Sequence, residues 1–256
     1  MPWDLTLPAG FCNLLGPAYS NVRRSSSGLN WKKYKMERIQ TILSISQVTH
    51  DVRSIRLTRP QDYTFVPGQA TEVSINKPGW EAEKRPFTFT SLEEDPYLEF
   101  TIKRYADHNG VTNQIGRLQP GEELIIDDPW GAIAYQGEGY FIAGGAGITP
   151  FIAILRRLHK NGQLGNNKLF FSNKTPADII YEKELKDMLG DNAVFIVTQS
   201  DGGAYPRDFM DEAFLTRHIG DFDKPFYICG PDPMIRSISD IVIRQGAKPD
   251  TVVFEK

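Results

Sequence analysis

Near Tyr135 the apolar pattern of this chain changes period, and that change limits the folds open to it. Upstream, apolar and polar residues alternate. In "YLEFTIK", Leu98, Phe100 and Ile102 would share the buried face of a half-buried strand. Val52, Ile55 and Leu57 sit among polar neighbours in "DVRSIRLTR". The segments "VPGQ", "NKPGW" and "QPGEE" punctuate these runs at intervals suited to an antiparallel barrel, and only 111–118 reads as a short helix. Downstream, buried strands alternate with helices. "YFIAGG" precedes "TPFIAILRRLHKNG", a helix with Pro in its first turn and Gly beyond its end. The strands "KLFFSN", "AVFIVTQS", "KPFYICG" and "TVVFEK" are separated by the helical segments "PADIIYEKELKDMLG", "PRDFMDEAFLTRH" and "DPMIRSISDIVIRQG". That order implies a doubly wound parallel sheet. The expected architecture is therefore two-domain: an antiparallel β-barrel over 36–135, then an α/β domain over 136–256.

Residues 1–35 fit neither half. They are rich in Pro, Gly, Ser and Asn, and lack the basic and apolar regions of a signal peptide. They read as a disordered or non-native extension, with Met36 a candidate start.

Composition removes several function classes. The 29 Lys and Arg against 32 Asp and Glu leave −3, which argues against a nucleic-acid binder. Hydrophobic residues at 40% are ample for a core and exclude global disorder. The longest apolar stretch, 140–155, falls short of the ~20 residues that span a bilayer. Cys12 and Cys229 are too few for an iron–sulfur cluster, and the four histidines show no metal-ligand spacing, so no metal is expected. A reducing, cytoplasmic setting follows.

Four segments carry candidate chemistry. "GGAGITP", Gly144 to Pro150, joins a buried strand to an amphipathic helix. There glycines admit a pyrophosphate to the backbone and a helix N-terminus offers N–H groups, with Thr149 placed to cap the helix. The alternative is a glycine turn chosen for strand–helix packing. In "KRPFTFTS", Arg85 is a fixed cation for forked phosphate contacts, Phe87 a flat apolar face, and Thr88 a hydroxyl on the same strand. "NGVTNQI" puts a Gly turn before a short helix. "YICGPDPM" sets Cys229 and Gly230 at the carboxyl edge of the sheet, where ligands bind in this architecture. The adjacent Asp127 and Asp128 read as solvated turn residues rather than catalytic ones.

In this order and setting, the four segments resemble the ferredoxin–NADP reductase superfamily, and within it bacterial stand-alone flavodoxin- or flavin-reductase-type members. The resemblance covers 36–256 and implies FAD and NAD(P)H as cofactors. Arg85, Pro86, Phe87 and Thr88 match the motif whose Arg binds flavin phosphate, whose aromatic packs on the isoalloxazine and whose hydroxyl bonds the reacting nitrogen. Phe87 departs from the usual Tyr. Thr101, Ile102 and Lys103 complete the flavin wall, and Gly110, Val111 and Thr112 would hold the pyrophosphate. Gly145, Gly147, Ile148, Thr149 and Pro150 match the nicotinamide-nucleotide loop. Cys229, Gly230, Pro231 and Met234 match the Cys-Gly-Pro motif beside the nicotinamide. Glu255 corresponds to a near-terminal acid of many relatives, although the chain stops at Lys256, where many relatives continue to an aromatic cover.

Thr88, Cys229 and Glu255 are then the catalytic candidates. Ser200 and Asp201 would meet the adenosine ribose, and Asp201 stands where NADPH-preferring relatives often have Arg, so NADH is the expected donor. The implied function is a reductase passing a hydride from NAD(P)H to FAD and electrons to a separate protein or small acceptor. A subunit active only within a larger redox complex, or a non-catalytic binding module on this scaffold, are the alternatives.

Overall fold

The computed structural model describes residues 37–254 apart from 108, 132, 200–202 and 204, so the N-terminal extension lies outside the described residues. The described residues form one compact unit.

The first half is an antiparallel sheet of β1 (Arg38–Thr49), β2 (Val52–Leu57), β3 (Ala70–Ile75), β4 (Arg85–Thr88), β5 (Leu98–Lys103) and, after α1 (Val111–Ile115), β6 (Glu123–Ile126). The strand order β4-β3-β6-β1-β2-β5 leaves β4 and β5 at opposite edges. Just past β4, Phe89 bridges Phe100 and the Thr90 N–H donates to the Glu99 carbonyl at 2.8 Å, which closes the sheet into a barrel. Ile55, Leu57, Phe89, Leu98 and Phe100 fill it, and Val111 and Ile115 of α1 pack into the same core. One expectation changes here. β5 is buried on both faces, because Glu99 and Thr101 point at the second half of the molecule rather than at water.

The second half is a parallel sheet of β7 (Tyr140–Gly144), β8 (Lys168–Asn173), β9 (Ala193–Val197), β10 (Phe226–Cys229) and β11 (Val252–Phe254), in the order β11-β10-β7-β8-β9. Helices α2 (Thr149–Lys160), α3 (Glu182–Leu189), α4 (Glu212–His218) and α5 (Asp232–Arg244) connect its strands. Phe141, Phe151, Leu155 and Phe171 form one core layer, and Ile142, Phe170, Phe214 and Ile228 the other. The chain winds from β7 outward through β8 to β9, then returns to the opposite side of β7 at β10. The switch point, where α/β sheets bind ligands, lies between the ends of β7 and β10.

Two helices are shorter than their periodicity suggests. α3 starts at Glu182, not near Pro176, because Thr175 and Asp178 close a separate single turn and Tyr181 adopts a left-handed φ of 52°. α4 starts after Asp211, whose side chain accepts from the Phe214 N–H at 2.8 Å and fixes the N-terminus there. No helix among the described residues is long and apolar enough to cross a membrane.

The halves are joined by buried charge. Arg156 of α2 donates through Nη1 to Glu99 Oε1 at 2.8 Å and to the Thr90 carbonyl at 2.7 Å. Its remaining nitrogens form a fork on Glu184, at 2.6 and 2.9 Å. Arg56 donates to the other Glu99 oxygen at 2.9 Å. The Tyr181 ring lies under the Arg156 guanidinium at 5.1 Å, and its hydroxyl is 3.2 Å from Thr101 Oγ1. Glu99 is only 2% exposed. Burial alone would raise its pKa, but the charge of Arg156 and hydrogen bonds from Arg156 and Arg56 hold it below the ordinary 4.5.

A group with a lowered folded pKa stabilises the fold above its unfolded pKa, and that stability is lost as pH falls through the folded value. Glu99→Gln should therefore cost about 3–5 kcal/mol at neutral pH, because it strands Arg156. The difference from wild type should shrink below the ordinary carboxylate range. Urea unfolding across pH measures both, and a pH-independent difference would count against the pair.

Candidate functional site

Most of the motif residues converge on one cleft, although they are far apart in sequence; Arg85 and Gly110 are not among its lining residues. Pro86, Phe87 and Thr88 of β4 and Thr101, Ile102 and Lys103 of β5 form its barrel wall, with Thr112 at one end. Gly144, Ala146, Gly147 and Thr149, from the end of β7 to the start of α2, and Cys229, Gly230 and Pro231, from the end of β10 onward, form the opposite wall. This cleft holds about 440 Å³. A neighbouring branch of about 330 Å³ shares Lys103, Tyr105, Gly144, Ala146 and Pro231 and continues past Gly145 to Asn173, Lys174, Asp178, Thr198 and Met234. Volumes of this order suit ligands of cofactor size.

Local folding explains how each side chain reaches the cleft. β4 pairs with β3 on one side only, so Phe87 and Thr88 sit on a sheet edge opposite Thr71 and Ala70. Thr88 is 7% exposed, Phe87 half-buried, and Arg85 exposed at the strand's start, where it donates to the Lys84 carbonyl at 2.6 Å. The segment is anchored by Lys84, whose Nζ reaches Asp127 at 2.8 Å. Burial opposes the Lys84 charge, but hydrogen bonds to Asp127 and Glu37 raise its pKa above the ordinary 10.5. This corrects the reading of Asp127 as solvated: it is 1% exposed, and its carbonyl accepts from Tyr63 and Thr71. Asp128 pairs with Arg38 at 2.5 Å.

The loop after β7 divides its labour among three glycines. A Cβ on Gly147 would lie 2.3 Å from the Cys229 carbonyl oxygen, and one on Gly144 would lie 2.7 Å from Met234 Sδ. Gly147 serves close packing of the loop on the end of β10, and Gly144 close packing of the end of β7 against Met234 of α5. Gly145, at φ +52°, has no atom in front of it within 4 Å and presents its open side to the cleft. The loop runs as a 3-10 turn straight into α2, so Thr149 is itself helical. Its expected capping role is thereby corrected, since the N-cap is Ile148 and makes no side-chain cap bond. The Thr149 side chain instead lines the cleft. Ile148 and Pro150 are buried, as is Val111, so these three hold backbone in place rather than face the cleft.

Gly110 is the N-cap of α1, and a Cβ there would meet nothing within 4 Å. Its open approach and the first-turn N–H groups of α1 suit an anion by chemistry. Cys229 is 8% exposed at the end of β10. Ser200, Asp201 and Glu255 lie outside the described residues. Tyr105, Asn173 and Thr198 also line the cleft, and sequence reasoning missed them because none belongs to a motif. His50, Asp51 and Asp178 bring ligand atoms within 4.8 Å of one another. However, Lys103 already holds Asp51 at 3.0 Å, and Asp178 Oδ2 accepts from both Thr175 N and Oγ1.

The donor set fits a flavin with a nicotinamide nucleotide: a half-buried aromatic face, a buried threonine at the strand edge, an exposed Arg, and glycine approaches at 110 and 145. Comparison with known proteins agrees. Residues 40–135 match the model of the oxidoreductase FAD-binding domain, and 141–240 that of the oxidoreductase NAD-binding domain. The chain is 26% identical over 234 residues to the reductase component of propane 2-monooxygenase from Rhodococcus jostii, covering 84% of this chain and 62% of that protein. It thus spans about three fifths of that relative's length. The CS-b5R domains of human Ncb5or superpose with a TM-score of 0.78 at 23% identity, covering 88% of this chain and 71% of theirs. A ferredoxin NADP+ reductase from Neisseria gonorrhoeae, solved with FAD and NADP, gives 0.72 at 18% identity, covering 82% and 92%.

Gly147 and Gly110 should respond oppositely to an added methyl group. Gly147→Ala should cost about 1–3 kcal/mol through the forced clash with the Cys229 carbonyl. Gly110→Ala, at φ −96° in open space, should be neutral or slightly stabilising. Thermal unfolding of both variants checks this, and equal effects would contradict the assignment of Gly147 to packing.

Proposed function

This chain carries an oxidoreductase FAD-binding domain followed by an oxidoreductase NAD-binding domain, and on that premise we propose that it is a flavoprotein reductase of the ferredoxin–NADP reductase superfamily. It would draw on NADH and deliver electrons to a separate acceptor, protein or small molecule. The observation that carries this reading is the single cleft on which the Pro86–Thr88 edge, the Thr101–Lys103 edge, the loop after β7 and the Cys229–Pro231 segment all open. When bound, FAD supplies the redox chemistry, taking a hydride from the reduced nicotinamide and releasing electrons to the acceptor.

The chain's own residues have binding and positioning work. Arg85 neutralises flavin phosphate, with Gly110 and Thr112 supplying backbone and hydroxyl contacts to the same group. Phe87 packs on the ring, and Thr88 donates to its reacting nitrogen. Gly145 and the start of α2 receive the nucleotide pyrophosphate. Cys229, Gly230 and Pro231 hold the nicotinamide against the flavin, so proximity replaces any need for a general base. Glu255 is proposed to lie near that junction. The two half-sites read as separate modules, 36–135 for flavin and 136–256 for nucleotide. A separate acceptor protein is favoured because the Rhodococcus relative is a reductase component of a monooxygenase. The scarcity of cysteine supports a cytoplasmic setting.

Arg85→Ala should weaken flavin binding by about 1.5–3 kcal/mol, up to roughly a hundredfold, through lost charge-assisted hydrogen bonds. Flavin content after exhaustive dialysis reads this, and stoichiometric retention would refute the role. Thr88→Val and Cys229→Ala should instead keep flavin and slow its reduction.

The NADH preference rests on Asp201, whose carboxylate would accept from ribose hydroxyls and repel a 2′-phosphate. Asp201→Arg should shift the ratio of catalytic efficiencies toward NADPH. An unshifted ratio removes Asp201 from the site, and a wild type that strongly prefers NADPH overturns the choice of donor.

A further inference from the structure

Asn173 ends β8 in an unusual state. Both polar atoms of its side chain, Oδ1 and Nδ2, are buried without a hydrogen-bond partner among the described residues. The residue is 5% exposed. Its backbone is fixed, since its carbonyl accepts from the Thr198 N–H at 2.9 Å and from Thr198 Oγ1 at 3.3 Å. Buried polar groups in folded proteins are overwhelmingly hydrogen-bonded, so an amide orphaned at both ends calls for a partner. Ser74, Trp130 and Ser239 each bury a single unpartnered atom, and none of them lines the cleft. Asn173 does: it faces the branch bounded by Gly145, Lys174, Asp178, Thr198 and Met234.

The partner must offer a donor and an acceptor side by side. A phosphate offers only acceptors and would leave Oδ1 facing oxygen. A vicinal diol satisfies both ends, because each hydroxyl donates and accepts. The branch reaches the ends of β8 and β9 at Asn173 and Thr198 and is not lined by Cys229, which belongs to the part of the cleft assigned to nicotinamide. Resting on the reading of this cleft as a nicotinamide-nucleotide site, we propose that Asn173 recognises the 2′,3′-diol of the adenosine-side ribose. Nδ2 donates to one hydroxyl and Oδ1 accepts from the other. The role adds a second selector beside Asp201, because phosphorylating the 2′-oxygen removes the hydrogen that Oδ1 would accept.

The test uses equilibrium binding of ADP and 2′,3′-dideoxy-ADP to the full, flavin-loaded chain. Wild type should bind ADP about tenfold or more tightly than the dideoxy analogue. Asn173→Leu should reduce that discrimination several-fold, leaving only what Asp201 contributes, while keeping its flavin. It should also melt, without nucleotide, no lower than wild type, since removing an unpaired polar group is neutral or stabilising. If Leu does not fold there, Asn173→Asp decides, because a carboxylate accepts from both hydroxyls and should preserve the discrimination.

Undiminished discrimination in Asn173→Leu, or its loss in Asn173→Asp, overturns the inference and leaves the reductase reading standing. So does a well-folded Asn173→Leu that melts markedly lower, which would mean the amide is bonded within the fold. If wild type binds neither ADP nor NAD+, the reductase reading falls and this inference with it.

Discussion

The contact between Arg156 and Glu99 is the interaction on which the rest of this structure depends. A β-barrel and a doubly wound sheet each complete their own core, so nothing in either requires the other. Their cleft exists because α2, which begins at the loop after β7, ends its second turn with a guanidinium aimed at the barrel. Glu99 meets it from β5, the strand that also carries Thr101 and Lys103 into the cleft. One helix thus sets the loop on one wall of the cleft and clamps the strand on the other. Charge this deeply buried is expensive unless fully paired. Here Arg56 and Arg156 take opposite oxygens of Glu99, and Glu184 takes the rest of the Arg156 fork. Partly exposed pairs reinforce the seam: Arg157 joins Glu93 at 2.5 Å, and Arg157 and Lys160 both reach Glu94.

Topology then decides where the chemistry can occur. Winding outward from β7 and returning at β10 leaves a crevice between the carboxyl ends of these strands. Gly147 allows the loop after β7 to lie directly on the Cys229 carbonyl, so the loop and the Cys229–Pro231 turn make one surface. The barrel edge at Pro86–Thr88 faces that surface. Lys84 and Asp127 fix the edge from behind, and Arg85 stays exposed at the strand's start, 3.7 Å from Glu83.

Much of this was legible in the sequence because it depends on local period and punctuation. Pro150 and Gly162 bracket α2 as expected, and Leu98, Phe100 and Ile102 do face a core. What was not legible depends on distant partners. Glu99 and Thr101 look like the wet face of a strand until Arg156 and Tyr181 arrive from another segment. Asp127 follows a strand in a turn-like run, and only Lys84 reveals it as an anchor. Tyr181 delays α3 by adopting a conformation that residue type disfavours. Asn173 has no signature at all, because its interest lies in the partners it lacks. Motif glycines carry the opposite lesson: they are easy to see, yet only the fold separates Gly145, which faces the cleft, from Gly147, which faces a carbonyl.

Anaerobic addition of NADH to the purified, FAD-loaded chain, followed by visible absorption, tests the shared cleft most directly. Rapid bleaching of the flavin band by one equivalent of nucleotide is the expected result, since both cofactors would lie against one another between Thr88 and Cys229. A chain that holds its flavin stoichiometrically yet stays fully oxidised under excess NADH and NADPH would contradict it.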